Sequence, residues 1–158
     1  MTTNADATND LALEMQLCFP LYAASNLIAR LYRPVLKPLG LTYPQYLVML
    51  VLWESSPQSI GGLGEKLHLD SGTLTPLIKR LVAGDLVSRN RDPSDDRRVL
   101  VSLTEKGRAL RTEAARVPQS LVDGLAITTG ELEHLRGEVQ NLVRILTASD
   151  ARTAADNR

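Results

Sequence analysis

Cysteine is all but absent from this chain. Cys18 is the single one in 158 residues, so no internal disulfide framework exists and the composition suits a reducing cytoplasm. Histidine is nearly as scarce: His68 and His134 are isolated, which leaves no ligand set for a zinc site. There is no glycine-rich phosphate loop and no Gly-x-Ser-x-Gly nucleophile motif, so catalytic residues, metals and cofactors are all expected to be none. No run approaches about 18 consecutive apolar residues, which excludes an uninterrupted membrane-spanning helix. The opening MTTNADATND has neither a basic region nor an apolar stretch and is not expected to act as a secretory signal. An excess of one charge sign is missing too, with 18 Lys and Arg against 18 Asp and Glu.

That balance conceals an uneven distribution. Residues 61–111 carry ten cations and seven anions, whereas 1–60 carry three and four, and 112–158 carry five and seven. The excess lies in Lys79, Arg80, Arg89, Arg91, Arg97 and Arg98. A local basic patch suits a binder that selects its site better than one relying on bulk charge. Within the same third, Leu74, Leu77, Ile78 and Leu81 recur at helical spacing, with Ser71, Thr73, Thr75, Lys79 and Arg80 on other sides. Gly84 stops this helix. Two alternating runs follow, Leu86 to Arg91 and Arg98 to Leu103, joined by the turn signal Asp92-Pro93-Ser94. A helix presenting hydroxyls and cations before a basic hairpin has the form of a winged helix-turn-helix that reads DNA. At the hairpin tip, Asp95 is expected to brace the guanidinium of Arg97 for a minor groove, beside Arg98.

Around that unit the chain reads as mainly α with a small β-hairpin. Residues 1–10 are polar and expected to be disordered. Leu17, Leu21, Ala24, Ile28, Leu31 and Val35 step by fours and threes, a heptad rhythm suited to packing on another helix. Pro20 fits the first turn of that helix, and Arg33-Pro34 with Lys37-Pro38-Leu39-Gly40 are expected to end it. Thr42-Tyr43-Pro44-Gln45 opens the next helix, whose run Tyr46 to Trp53 reads as buried core. Ile60, Leu63 and Leu67 space a short supporting helix, and Asp70, Ser71 or Thr73 caps the recognition helix. Thr104 caps a helix over about 105–116, Pro118 opens another, and Thr128 or Thr129 precedes a last one. There Leu132, Leu135, Val139, Leu142 and Leu146 repeat the three-four rhythm. One such seam at each end of the chain suggests a homodimer; packing of the two seams on each other is the alternative.

Cys18 lies at the N-terminal end of the first helix, where the dipole favours a thiolate, although a lone cysteine is more often a small buried apolar residue. The segments LCFPLYAASN, LYRPVLKPLGLTYPQYLVMLVLWE, LDSGTLTPLIKRL and RDPSDDRRVLVSLTEKG resemble the MarR family of winged-helix repressors over roughly residues 12–148. More narrowly they resemble its organic hydroperoxide resistance regulators, on the pairing of LCF with YPQY. The resemblance implies that Cys18 is the oxidised residue and that Tyr32 and Tyr43 of the partner subunit hydrogen-bond its sulfur. The spacing agrees, because fourteen residues of continuous helix hold Cys18 and Tyr32 about 21 Å apart in one chain. No second cysteine is present to resolve an oxidised one, so the chain resembles the one-cysteine type, in which a low-molecular-weight thiol is expected to react with the sulfenic acid.

The expectation is therefore a single domain over 11–148, with a DNA unit at about 58–104, dimerisation helices at about 12–37 and 118–148, and a flexible tail over 149–158. Its partners would be a pseudo-palindromic double-stranded operator, a second copy of the chain and organic hydroperoxides as inducers, with no membrane. Two rivals stand beside this reading. One is a MarR-type repressor controlled by a non-covalent small ligand, with Cys18 structural. The other is a thiol peroxidase, which the hairpin would leave unexplained.

Overall fold

The computed structural model describes residues 11–156 and resolves two compact units, one up to Leu121 and one from Val122 onward. The segment expected to be disordered, 1–10, lies outside the described residues.

In the first unit, a 3-10 turn over Leu13–Met15 precedes α1, Cys18–Leu36. Pro20 falls in the first turn of α1, where a missing N–H removes no helical hydrogen bond. Arg33-Pro34 does not end the helix as expected. Pro34 sits inside its last turn, and the chain continues to Leu36 before tightening into a second 3-10 turn, Lys37–Leu39. Gly40, at φ +67°, then supplies the left-handed residue that reverses direction. α2, Tyr43–Glu54, starts where Thr42 predicts: its backbone N–H donates to the Gln45 side chain at 2.8 Å, half of a capping box. Seven of its residues are buried, so α2 is the central rod of the core.

β1, Gln58–Ser59, leads into α3, Ile60–Leu67, and α4, Ser71–Ala83. Leu63, Leu74, Ile78 and Leu81 close on Met49 and Leu52 of α2, forming the core with Leu36, Val87 and Val101. Gly84 terminates α4 as expected, but the left-handed residue is its neighbour, Asp85, at φ +57°. The hairpin is formed by β2, Val87–Asp92, and β3, Asp95–Leu103. β1 had no clear periodicity in the sequence; it pairs antiparallel with β3, which becomes the central strand of three. α5, Glu105–Ala114, is capped by Thr104, whose hydroxyl accepts from the Gly107 N–H at 3.0 Å, and α6, Val117–Val122, follows.

The second unit is dominated by α7, Thr129–Asp156. Thr128 and Glu131 satisfy each other at its start, with Thr128 N–H and hydroxyl donating to the carboxylate at 2.8 and 2.6 Å. These bonds hold Glu131 below the usual carboxylate range. Helix continues through the segment anticipated as a flexible tail, up to Asp156. No single helix among the described residues is long and apolar enough to cross a membrane.

Candidate nucleic-acid interface and redox site

The recognition helix is set by Asp70. Its carboxylate accepts the Thr73 N–H at 2.7 Å and the Thr73 hydroxyl at 3.2 Å, which fixes the N-cap among the three candidates. Those hydrogen bonds favour the ionised form and lower the Asp70 pKa. With the cap at Asp70, Pro76 lies in the helix interior. The Thr75 hydroxyl donates to the Ser71 carbonyl at 2.7 Å. Ser71, Thr73, Lys79 and Arg80 are exposed and Thr75 is half-buried, so four of the five groove candidates stand on the solvent side of a helix anchored by Leu74, Ile78 and Leu81.

The wing differs from expectation in how its charges are braced. Asp95 does not hold the Arg97 guanidinium: its carboxylate accepts the backbone N–H of Arg97 at 3.0 Å, closing a tight turn as short acidic side chains do. The side-chain pair is Arg98 with Asp92, at 3.7 Å. Asp92 is buried at the strand end, accepts the Ser94 N–H at 2.9 Å and the Ser94 hydroxyl at 2.6 Å, and is held below the ordinary carboxylate range first by Ser94 and then by Arg98. Arg98 thus braces the tip, and Arg97 is exposed and, among the described residues, in no ion pair.

Strand pairing reveals two further cations. Arg89 lies opposite Val101 and Arg91 opposite Val99, so the two share a face of the hairpin, ahead of the register shift that follows Arg91. Nearer the core that same face carries Val87 and Leu103, both buried. A stripe that is apolar at its base therefore turns into two exposed arginines toward its tip, neither in an ion pair among the described residues. Alternation along Val87-Ser88-Arg89-Asn90-Arg91 carried this signal, but without the register its facing side stayed open.

The redox candidates separate into two places. Cys18 is the first residue of α1 and is exposed in the chain, so the buried-cysteine reading does not describe it. Tyr32, near the other end of α1, meets Tyr43 at the start of α2, with ring centroids 4.4 Å apart and planes tilted by 40°. Burial, together with the adjacent Tyr43 and Tyr46, pushes Tyr32 from 10.0 up to about 12, and burial raises Tyr43 as well. Both phenols therefore remain protonated hydrogen-bond donors across the physiological range. α1 is continuous from Cys18 to Leu36, so the structure joins the tyrosines and holds the thiol of the same chain about 21 Å away along the helix. A groove of about 450 Å3 runs beside Tyr43, lined by Ala29, Arg33, Lys37 and Leu41 among others. Among the described residues, no group of three or more His, Cys, Asp or Glu is placed to hold a metal.

Residues 30–113 match the family described as transcriptional regulator SarA/Rot. The chain is 44% identical over 137 residues to the organic hydroperoxide resistance transcriptional regulator of Bacillus subtilis, covering 86% of this chain and 92% of that one. Among solved structures it is similar to reduced AbfR bound to DNA, with a TM-score of 0.72 at 35% identity over 89% of this chain and 99% of that one. AbfR, a Staphylococcus epidermidis protein, with its disulfide formed gives a TM-score of 0.60 over the same 89% of this chain and 99% of that one, also at 35% identity. Identity of this order over nearly the whole length, on a three-stranded winged sheet and with one cysteine, makes the chain a member of the MarR and SarA family of winged-helix transcriptional regulators, in its organic hydroperoxide resistance branch.

Proposed function

We propose that this regulator is a cytoplasmic, homodimeric repressor that releases its operator when an organic hydroperoxide oxidises Cys18. The observation that carries the reading is the division of the redox site. An exposed thiol opens α1, and a tyrosine pair in ring contact, with protonated hydroxyls, stands at its far end. A second copy running antiparallel would bring each Cys18 to the partner's Tyr32 and Tyr43. The apolar faces such a dimer needs are present: Leu27 is 56% and Ile28 42% exposed on α1, and Leu135 and Leu146 are 53% and 54% exposed on α7.

In the reduced dimer, phenolic hydrogen bonds stabilise the Cys18 thiolate, and the two recognition helices enter successive major grooves of a pseudo-palindrome, about one helical turn apart. Ser71, Thr73, Thr75, Lys79 and Arg80 face the major groove, with base and phosphate contacts divided among them. Arg97 enters the flanking minor groove from the wing, positioned by the Asp95 turn and the Asp92–Arg98 pair. The thiolate attacks the terminal oxygen of the hydroperoxide, the O–O bond breaks, and the departing alkoxide takes a proton to leave as the alcohol. Sulfur is oxidised by two electrons to the sulfenic acid as the peroxide is reduced. The tyrosine hydrogen bonds are lost, and a few kcal/mol of differential stability between two dimer arrangements releases DNA. A low-molecular-weight thiol then condenses with the sulfenic acid, since no resolving cysteine is present.

One observation favours a second reading, a repressor governed by a non-covalent ligand: the groove beside Tyr43 offers Arg33 and Lys37 to an anion. Operator binding of Cys18→Ser with and without peroxide decides between them. The sensing reading expects full binding and no release; release of the mutant by peroxide would sink it.

A further inference from the structure

The tyrosine pair is the first part of a longer line of contacts. Tyr46, buried on α2, lies 5.8 Å from Tyr32, and its ring meets Trp53 edge-on at 6.3 Å. The buried indole N–H of Trp53 donates to the Gly107 carbonyl at 2.8 Å, spanning 54 positions of sequence. Gly107 sits in the first turn of α5, so close to the Leu86 carbonyl that a Cβ there would overlap it.

Around that contact the DNA unit is tied together. Leu86 N–H donates to the Leu81 carbonyl in the last turn of α4 at 3.0 Å, and the Leu86 carbonyl accepts from Thr104 N–H at 3.1 Å. The Thr104 hydroxyl donates to the Asp85 carbonyl at 2.7 Å while accepting from Gly107. The end of the recognition helix, the first residues of the wing and the start of α5 thus meet in one knot of backbone, and Trp53 is hydrogen-bonded into it.

We propose that Trp53 is a positioning residue of the switch, carrying the state of the Tyr32–Tyr43 pair through Tyr46 to the Gly107–Leu86 knot from which recognition helix and wing both extend. The inference rests on the cysteine-sensing reading above. Its physical basis is that closely packed rings repack in discrete steps, and that a directional hydrogen bond passes a tilt of the indole to the backbone that accepts it. Loss of the partner thiolate's hold on Tyr32 and Tyr43 would reach the DNA unit by this route, in the same chain and without any change at the DNA face itself.

The chain supplies its own probe, since Trp53 is its single tryptophan. Trp53 emission of the full-length reduced protein should change on a stoichiometric dose of cumene hydroperoxide and stay constant in Cys18→Ser. Trp53→Phe keeps a ring but no donor. It should bind operator like the parent when reduced and form the sulfenic acid, seen by mass spectrometry, yet its oxidised-to-reduced ratio of operator Kd should shrink roughly tenfold, within the usual range of allosteric coupling. An unchanged ratio would overturn the role of Trp53. If Trp53→Phe fails to fold, the parent protein decides: release of DNA on oxidation with no change in emission overturns it equally. Release from Cys18→Ser would instead overturn the sensing reading, so the two failures are distinguishable.

Discussion

Tyr32 and Tyr43 place their ring centroids 4.4 Å apart, although one closes α1 and the other opens α2. Their proximity gives the fold a defined response to alkali. Tyr32 ionises near 10.0 in the unfolded chain and at about 12 in the fold, so its stabilising contribution is complete below pH 10 and is lost as pH rises through 12. Thermal melts at increasing pH should fall over that window. The absorbance change of phenolate formation in Tyr43→Phe should set in at lower pH than in the parent, since one of the groups that raises Tyr32 is removed.

Two carboxylates respond at the other end of the scale. Asp70 and Asp92 are both held below the ordinary value, Asp70 chiefly by Thr73 and Asp92 chiefly by Ser94. Their contributions are present above the unfolded aspartate pKa of about 3.9 and are lost as pH falls through the lower folded values. Hydrogen exchange should show the Thr73 and Ser94 amides protected at pH 5 and losing protection in strong acid before the α2 core does. Equal persistence of both amides to the acid unfolding point would contradict this.

The arginine stripe of the wing predicts a salt effect without a sequence effect. Neighbouring same-face positions on an antiparallel strand lie about 6.8 Å apart, which equals the axial rise of two nucleotides on one DNA strand. Arg89→Gln and Arg91→Gln should each weaken operator and scrambled DNA alike and reduce the slope of log K against log salt by about 0.9. Arg97→Ala should also flatten the slope. Arg98→Gln, acting through the tip scaffold, should loosen Ser94 exchange first. A slope unchanged in Arg89→Gln and Arg91→Gln would remove the stripe from the interface.

Trp53 and Gly107 predict stability directly. Removing the indole donor in Trp53→Phe deletes a buried hydrogen bond to a carbonyl that α5 still satisfies, at a cost of about 0.5–1.5 kcal/mol. Gly107→Ala forces a methyl against the Leu86 carbonyl and should cost roughly 1–3 kcal/mol or more, since both partners are backbone. Urea unfolding of the two variants measures both losses.

Much of this architecture was legible locally. The stripe Leu74, Leu77, Ile78, Leu81, the Thr42 and Thr104 caps and the heptads of α1 and α7 are each specified by residues within a few turns of one another. What was illegible depends on distant pairing. β1 is two residues long and is a strand only because Gln58 and Ser59 meet Val101 and Leu100. The Arg98–Asp92 pair arises from an irregularity in register between Arg91 and Asp92, which no turn signal encodes. Pro34 looked like a stop, yet the helix runs two residues past it despite the lost N–H, to Leu36, which is buried in the core. The Trp53–Gly107 bond spans 54 positions and has no signature in either segment.

The continuity of α1 has a genetic consequence. Because a single chain cannot fold its own thiol back onto its own tyrosines, each sensor in the proposed dimer is a joint product of two polypeptides. Cys18→Ser and the double Tyr32→Phe, Tyr43→Phe variant should each be deaf to peroxide as homodimers. Co-expressed, they would form mixed dimers in which the intact cysteine of one chain faces the intact tyrosines of the other. One complete sensor is thereby rebuilt from two defective parents, and peroxide responsiveness should return in a strain that carries no wild-type copy.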